Sequence, residues 1–257
     1  MNRVAVVLAG CGVYDGAEVN EAVLTLLCLE QQGASYECFA PDIQQLHVIN
    51  HLTGEPVEGE SRNVLVEAAR IARGNIRDLG QLKVADFDAL LVPGGFGAAK
   101  NLSNFAVAGS AMEVQPDFLQ LARAFHQSGK PIGLICIAPV MAAAICGEGV
   151  RCTVGDDVDV AAAIKAMGGE HLQCPVDDAD RGFRREELGA RGLDAVGQYA
   201  ARGGIQQQKA RGGQFRVHVC QYPLQTLKFS QRTVELAPVQ QIISRQYCCS
   251  GRDTQCN

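Results

Sequence analysis

The sequence lacks several features that would place the protein in a specialised class. No apolar stretch approaches the roughly 20 residues that a helix needs to cross a bilayer. The 11 cysteines form no CxxC pair and no zinc-ligand spacing, so we expect a reducing compartment, mostly free thiols and no bound metal. No GxGxxG or Walker loop is present, so we expect no nucleotide and no other cofactor. With 47% hydrophobic and 20% charged residues, the chain has the composition of a globular protein without a membrane partner.

Charge divides the 257-residue chain unevenly. Residues 1–179 carry 11 Lys and Arg against 22 Asp and Glu, whereas residues 180–257 carry 12 against 6. This shift predicts a domain over 1–179 and an atypical basic tail over 180–257. Because the tail contains Arg-, Gly- and Gln-rich stretches, we interpret it as disordered or loosely packed, and we consider nucleic-acid binding unlikely.

Within the first part, short apolar runs alternate with segments whose apolar residues recur at helical spacing. Such repeated strand–helix units predict an α/β fold with a mostly parallel sheet covered by helices on both faces. The residues around 47–59 resemble a hairpin, and Ser61 is the expected N-cap of the helix that follows. The predicted strands are 3–10, 35–41, 88–97, 131–136 and 170–176, and the predicted helices are 15–34, 61–74, 115–129, 138–146 and 158–169.

Cys136 ends the apolar run in GKPIGLICIAPV, where a strand turns abruptly toward a helix. A thiol there would lie near backbone N–H groups, which lower the pKa of a cysteine. The alternative is a small buried filler, since free cysteine is among the most buried residue types. We interpret Cys28, Cys38, Cys146 and Cys174 as such fillers, whereas Cys11 is a possible second thiol of the same crevice.

Two other segments end at the same predicted edge of the sheet. Glu18 fits a capping box at the start of a helix, but its carboxyl group could also hydrogen-bond a thiolate. Glu21, one turn further, is interpreted as solvated. The Gly94–Gly97 stretch is either a simple turn or a source of N–H groups for an oxyanion.

Several long stretches, taken in order, resemble one branch of the ThiJ/PfpI superfamily of class I glutamine amidotransferase-like proteins. That branch contains vertebrate mitochondrial glutamine amidotransferase-like class 1 domain proteins and the bacterial ElbB glyoxalases. The resemblance is close over residues 3 to about 155. It is carried by VVLAGCGVYDGAEVNEAV, FAPD, HVIN, EGESRNVLVEAARIARG, PGGFGAAKNLSNFAV and KPIGLICIAPV.

The resemblance implies a flavodoxin-like, three-layer α/β/α sandwich. It also implies that Cys136 is the nucleophile-elbow cysteine, that Glu18 is its carboxyl partner, and that Gly95 and Ile137 offer backbone N–H groups. Members of the superfamily include glyoxalases, deglycases, proteases and non-catalytic redox proteins, so the fold does not choose among them. The resemblance further implies mitochondria, although a chain without a presequence pattern would be cytosolic if complete.

Three departures from the family pattern restrict the chemistry. The residue after the cysteine is Ile137 where many relatives have a histidine base, which makes peptidase and glutaminase activity unlikely. The loop after CTVGDD is shortened, and the usual C-terminal segment is replaced. We therefore weigh three hypotheses: weak glyoxalase- or deglycase-type action on a small carbonyl compound through Cys136 and Glu18, a non-catalytic redox-sensing or protective role, and a glutamine amidotransferase. We also expect a homo-oligomer.

Overall fold

The computed structural model describes residues 2–173, and a parallel sheet of five strands forms its centre. The predicted tail over 180–257 and Cys174 lie outside the described residues. The strands are β1 (Arg3–Val7), β2 (Ser35–Ala40), β3 (Ile76–Asp78), β4 (Ala89–Val92) and β5 (Ile132–Leu134). Their order across the sheet is β3-β2-β1-β4-β5, and every neighbouring pair is parallel.

Helices connect these strands, and most of the longer ones begin at a side-chain cap. Asn63 caps the second helix by accepting the Val66 N–H, so the prediction of Ser61 as its N-cap was two residues too early. Ser61 instead donates to Gln44. The helices are α1 (Val19–Gln31), α2 (Val64–Ile71), α3 (Phe96–Lys100), α4 (Phe105–Ala108), α5 (Pro116–Gln127), α6 (Ala142–Cys146) and α7 (Val158–Ala166).

The side chains of β1 show why the sheet is covered on both sides. Val4, Val6 and Leu8 point into a core formed with α1 and α2. Ala5, Val7 and Ala9 point into a second core formed with α5, α6 and α7. Because successive strand residues face opposite sides, a strand that is apolar throughout requires helices on both faces. The predicted three-layer α/β/α architecture is therefore confirmed.

Four local predictions differ from the structure. The short strand β3 was not predicted, because its three residues show too little apolar periodicity. The expected hairpin over 47–59 is reduced to one bridge between Ile49 and Pro56. The helix predicted over 138–146 is a 3₁₀ turn at Ala138–Met141 followed by α6. Of the strand predicted at 170–176, the described residues contain β7 (Glu170–His171), which pairs with β6 (Arg151–Cys152) in a separate two-stranded sheet, and residues 174–176 lie outside the described part of the chain.

The direction of the chain across the sheet reverses beside β1. From β1 the chain moves outward through β2 and β3, then returns to the other side of β1 as β4 and continues to β5. In open α/β sheets, ligands bind at the carboxyl ends of the strands near such a switch point. The segments after β1, β4 and β5 meet at this edge. None of the helices in residues 2–173 is long and apolar enough to span a membrane.

Candidate active site

Cys136 occupies the sharp turn that follows β5. Its φ angle is +62°, one of two positive values among the non-glycine residues described. A side chain in this left-handed region costs about 1–3 kcal/mol and is typical of nucleophile elbows. The 3₁₀ turn at Ala138–Met141 follows directly. Cys136 as a whole residue is partly exposed, unlike Cys28 and Cys38, although its sulfur is largely withdrawn from solvent.

The glycines after β4 allow the backbone to approach this thiol closely. A Cβ atom added at Gly94 would lie 2.2 Å from the Cys136 Cβ, so no larger residue fits there without a shift. Gly95 has φ +94°, which L-residues rarely adopt. The backbone N–H groups of Gly95 and Ile137 lie close enough to the Cys136 thiol to act toward lowering its pKa. The role of these two donors toward a substrate oxyanion stays a prediction.

Glu21 is the carboxyl group beside the thiol. Its side chain is only 4% exposed, so the interpretation of Glu21 as solvated was wrong. Glu21 Oε2 accepts the Gly94 N–H at 3.0 Å, and Oε2 and the Cys136 side chain both lie against Gly94, so the carboxyl group is beside the thiol. Within residues 2–173 the other oxygen, Oε1, is buried without a hydrogen-bond partner. Glu21 is therefore positioned to exchange a proton with Cys136.

Glu18 has a different position from the one the resemblance implied. It is the N-cap of α1, and its Oε2 accepts the Glu21 N–H at 2.6 Å while Oε1 accepts from Asn20 at 3.3 Å. Since these bonds hold the carboxylate against its own helix, the thiol interaction expected of Glu18 is made by Glu21 instead. Glu18 acts on the site indirectly, because it anchors the turn of α1 that carries Glu21 and its charge raises the Glu21 pKa.

Burial is the main electrostatic influence on both groups of the pair. It raises the pKa of Glu21 to about 7, with a further contribution from the Glu18 charge. Burial also raises the pKa of the Cys136 thiol to about 12, and the Glu21 charge adds to this, while the N–H groups of Gly95 and Ile137 oppose it. The lowered thiol pKa expected from the elbow is therefore not found, because loss of solvent outweighs the two donors.

The remaining thiols lie in other surroundings. Cys28 and Cys38 are buried as expected of fillers, and Cys146 is partly exposed. Burial raises the pKa of Cys11, and its charged neighbours are Glu67, Arg70 and Asp15 rather than the Glu21 carboxyl. A role for Cys11 as a second thiol thus stays a prediction. No group of three His, Cys, Asp or Glu side chains in residues 2–173 is placed to hold a metal ion.

Comparison with known proteins agrees with this architecture. The chain is 54% identical over 178 residues to the human protein named glutamine amidotransferase-like class 1 domain-containing protein 3, mitochondrial, covering 66% of each chain. It is 51% identical over 186 residues to the rat protein named ES1 protein homolog, mitochondrial, covering 69% of this chain and 70% of that protein.

A solved structure from Ehrlichia chaffeensis, described as an isoprenoid biosynthesis protein with an amidotransferase-like domain, matches the fold. Its TM-score is 0.63 at 42% identity, covering 68% of this chain and 81% of that one. Residues 7–176 also match the model of the DJ-1/PfpI family. The matched part includes the elbow cysteine, the glycine turn and Glu21. The chain therefore belongs to the DJ-1/PfpI family.

Proposed function

We propose that the protein converts small reactive carbonyl compounds such as glyoxal, with Cys136 as nucleophile and Glu21 as the group that moves protons. The observation that carries this proposal is a buried carboxyl group, with a pKa raised to about 7, beside a cysteine at a strained elbow. A general base works best when its pKa lies near the working pH. Glu18, the carboxyl group first expected in this role, is assigned to positioning Glu21.

The first step forms a hemithioacetal. The Glu21 carboxylate takes the Cys136 thiol proton as the sulfur adds to one aldehyde carbon of glyoxal, and the carbonyl oxygen becomes a hydroxyl. This base is needed because burial raises the thiol pKa to about 12, so little thiolate exists at neutral pH. The N–H groups of Gly95 and Ile137, which lie against the sulfur, are available to stabilise the developing oxyanion.

The second step moves a proton between two carbons. Glu21 removes the C–H proton of the hemithioacetal to give an enediol, and a proton is returned to the adjacent carbon. The product is a thioester of glycolic acid, which water hydrolyses to glycolate with return of the free thiol. The net change is glyoxal plus water to glycolic acid, so no external oxidant or reductant is required.

Amides are poor substrates for the same site. An amide must have its leaving nitrogen protonated, and position 137 holds an isoleucine that cannot supply a proton. Aldehydes have no such leaving group. We therefore expect peptides and glutamine to be inert. Hydrolysis of glutamine would instead indicate a working glutaminase.

Glycolate formation from glyoxal tests the proposal. Wild type should produce glycolate, Cys136→Ser should produce none above background, and Cys146→Ser should match wild type. Cys146 is a suitable control because it is also partly exposed and burial raises its pKa to about 11. Turnover that persists in Cys136→Ser would refute the mechanism.

A redox-sensing or protective role is the second candidate. It is favoured by the elbow position of Cys136, a residue that keeps some exposure to solvent and so to a small oxidant. If wild type makes no glycolate but peroxide oxidises Cys136 ahead of the other thiols, this role replaces the enzymatic one. The raised thiol pKa predicts slow oxidation, because the thiolate is the reactive form.

The setting of the protein belongs to the same proposal. The human and rat relatives are named mitochondrial, and on that basis we propose that this chain acts in mitochondria. The matched segment spans 66% of the human relative, and the proposal therefore rests on the residues of this chain rather than on any activity of that whole protein. The expected homo-oligomer and the absence of a nucleic-acid partner stay predictions, which light scattering and a filter-binding assay would check.

A further inference from the structure

A cavity lies at the same edge of the sheet, beside α3, the helix that follows the glycine turn. Its volume is about 290 Å³, close to the lower limit of about 300 Å³ for small-molecule sites. We call it the lysine cavity, and it is lined by Tyr14, Ile49, Gly54, Phe96 and Lys100. Its walls are thus two aromatic rings and an aliphatic side chain, with one cationic group.

Lys100 is the polar feature of this cavity. Its Nζ donates one hydrogen bond to the Tyr14 carbonyl at 2.7 Å and lies 5.5 Å from the centre of the Phe96 ring. A lysine ammonium has three N–H donors, so two remain after this bond. No carboxylate oxygen in residues 2–173 lies within 4.0 Å of Nζ as an ion pair. Burial lowers the Lys100 pKa, as expected of an amine held without a direct counter-ion.

Asp15 is the acidic group that acts on Lys100, but it is not a direct ion-pair partner of the amine within residues 2–173. Asp15 is buried and raises the Lys100 pKa from a distance, which favours the charged amine. Its Oδ2 accepts the Ile49 N–H at 2.7 Å, and its Oδ1 lies 3.8 Å from His51 Nε2. Asp15 is therefore held by neighbouring groups, and a ligand anion can approach the remaining Lys100 donors.

We propose that the lysine cavity binds a small carboxylate whose body is an apolar, preferably aromatic, ring. The carboxylate would accept from Lys100, and the ring would lie against the apolar lining of the cavity. A charge-assisted hydrogen bond of this kind is among the stronger polar contacts, and aromatic walls favour a flat partner. Because this site does not use Cys136, binding should be the same in Cys136→Ser, and its failure would leave the carbonyl chemistry untouched.

Benzoate is a suitable probe, measured by titration calorimetry on the full chain. Lys100→Met should weaken benzoate binding by about 10- to 100-fold, the usual effect of removing a hydrogen bond to a charged group. Lys100→Arg should retain most of the affinity. Lys130→Met is the matched control, since Lys130 also donates to backbone carbonyls, of Val84 and Phe87, beside an aromatic ring.

Wild type with three ligands provides a test that does not depend on the folding of any variant. Benzoate should bind more tightly than benzyl alcohol, which lacks the charge, and than acetate, which lacks the ring. Equal affinity for benzoate and benzyl alcohol would show that Lys100 does not recognise an anion and would overturn the proposal. So would the absence of benzoate binding to wild type, or unchanged benzoate affinity in a folded Lys100→Met variant.

Discussion

The thiol site and the lysine cavity share one edge of the sheet, but pKa values are raised in the first and lowered in the second. In the thiol site burial raises the pKa values of two acids, Glu21 and Cys136, and no cationic side chain of residues 2–173 is among the charges that act on them. In the lysine cavity burial lowers the pKa of Lys100, but Asp15 opposes this change. Loss of water favours the neutral form in both places. The first site therefore suits proton transfer, whereas the second places an amine beside aromatic side chains, and our anion proposal rests on that arrangement.

The largest expected effect separates the two carboxyl groups of α1. Glu21→Gln should lower glyoxal turnover by about 10²–10⁴-fold, because it removes the proton-transfer group while keeping an oxygen for the Gly94 N–H. Glu18→Gln should cost less than about 10-fold, since an amide oxygen can still cap the helix. Steady-state glycolate formation by the two variants measures this difference.

The pH dependence of turnover is a second way to distinguish the roles of Glu18 and Glu21. In wild type the rate should rise with pH through about 7 as Glu21 becomes a carboxylate. In Glu18→Gln the midpoint should move to lower pH, because the Glu18 charge contributes to the raised Glu21 pKa. If Glu18→Gln were the more damaging change, Glu18 rather than Glu21 would be the proton-transfer group.

A smaller effect concerns stability as a function of pH. The folded state binds the Glu21 proton more tightly than the unfolded state, since its pKa rises from 4.5 to about 7 on folding. This stabilisation is fully present below pH 4.5 and is lost as pH rises through about 7, a change of about 3 kcal/mol at most. Urea unfolding of wild type and Glu21→Gln between pH 4.5 and 8 measures it. The stability of wild type relative to the variant should fall across this range, and a constant difference would contradict the burial argument.

The smallest expected effect concerns the acid beside the lysine cavity. Asp15→Ala removes the acceptor of the buried Ile49 N–H and should cost about 2 kcal/mol of unfolding free energy. Asp15→Asn keeps an oxygen at that position and should cost less. Glu58→Ala, at an exposed acid in a loop, is the control and should change stability by about 0.5 kcal/mol or less. Equal losses for the Ala and Asn variants would show that the charge of Asp15, not its hydrogen bond, stabilises the loop.

The assignment of the carboxyl group shows where sequence reasoning reached its limit. Glu18 and Glu21 are separated by less than one helical turn, and both lie at the start of α1, close to the end of β1 in the sequence. The resemblance assigned the thiol interaction to Glu18, but this side chain caps α1 and is held against its own helix. The sequence did contain a signal for Glu21: it is spaced four and eight residues before Thr25 and Leu29, on the face of α1 that is buried. Ser61 was mistaken for a cap in the same way, because Asn63 two residues later accepts the bond.

The sequence by itself determined the layered fold, because apolar strands alternating with amphipathic helices have few ways to bury both faces of a sheet. It also determined the elbow position of Cys136 and the glycines beside it, since a sharp turn and a close backbone approach restrict residue type locally. Only the tertiary structure decided which carboxyl group meets the thiol and that burial raises the thiol pKa. It alone brought Tyr14, Ile49 and Lys100 around one cavity. Distances across a sheet edge and the exclusion of water depend on packing between distant segments, which local patterns do not encode.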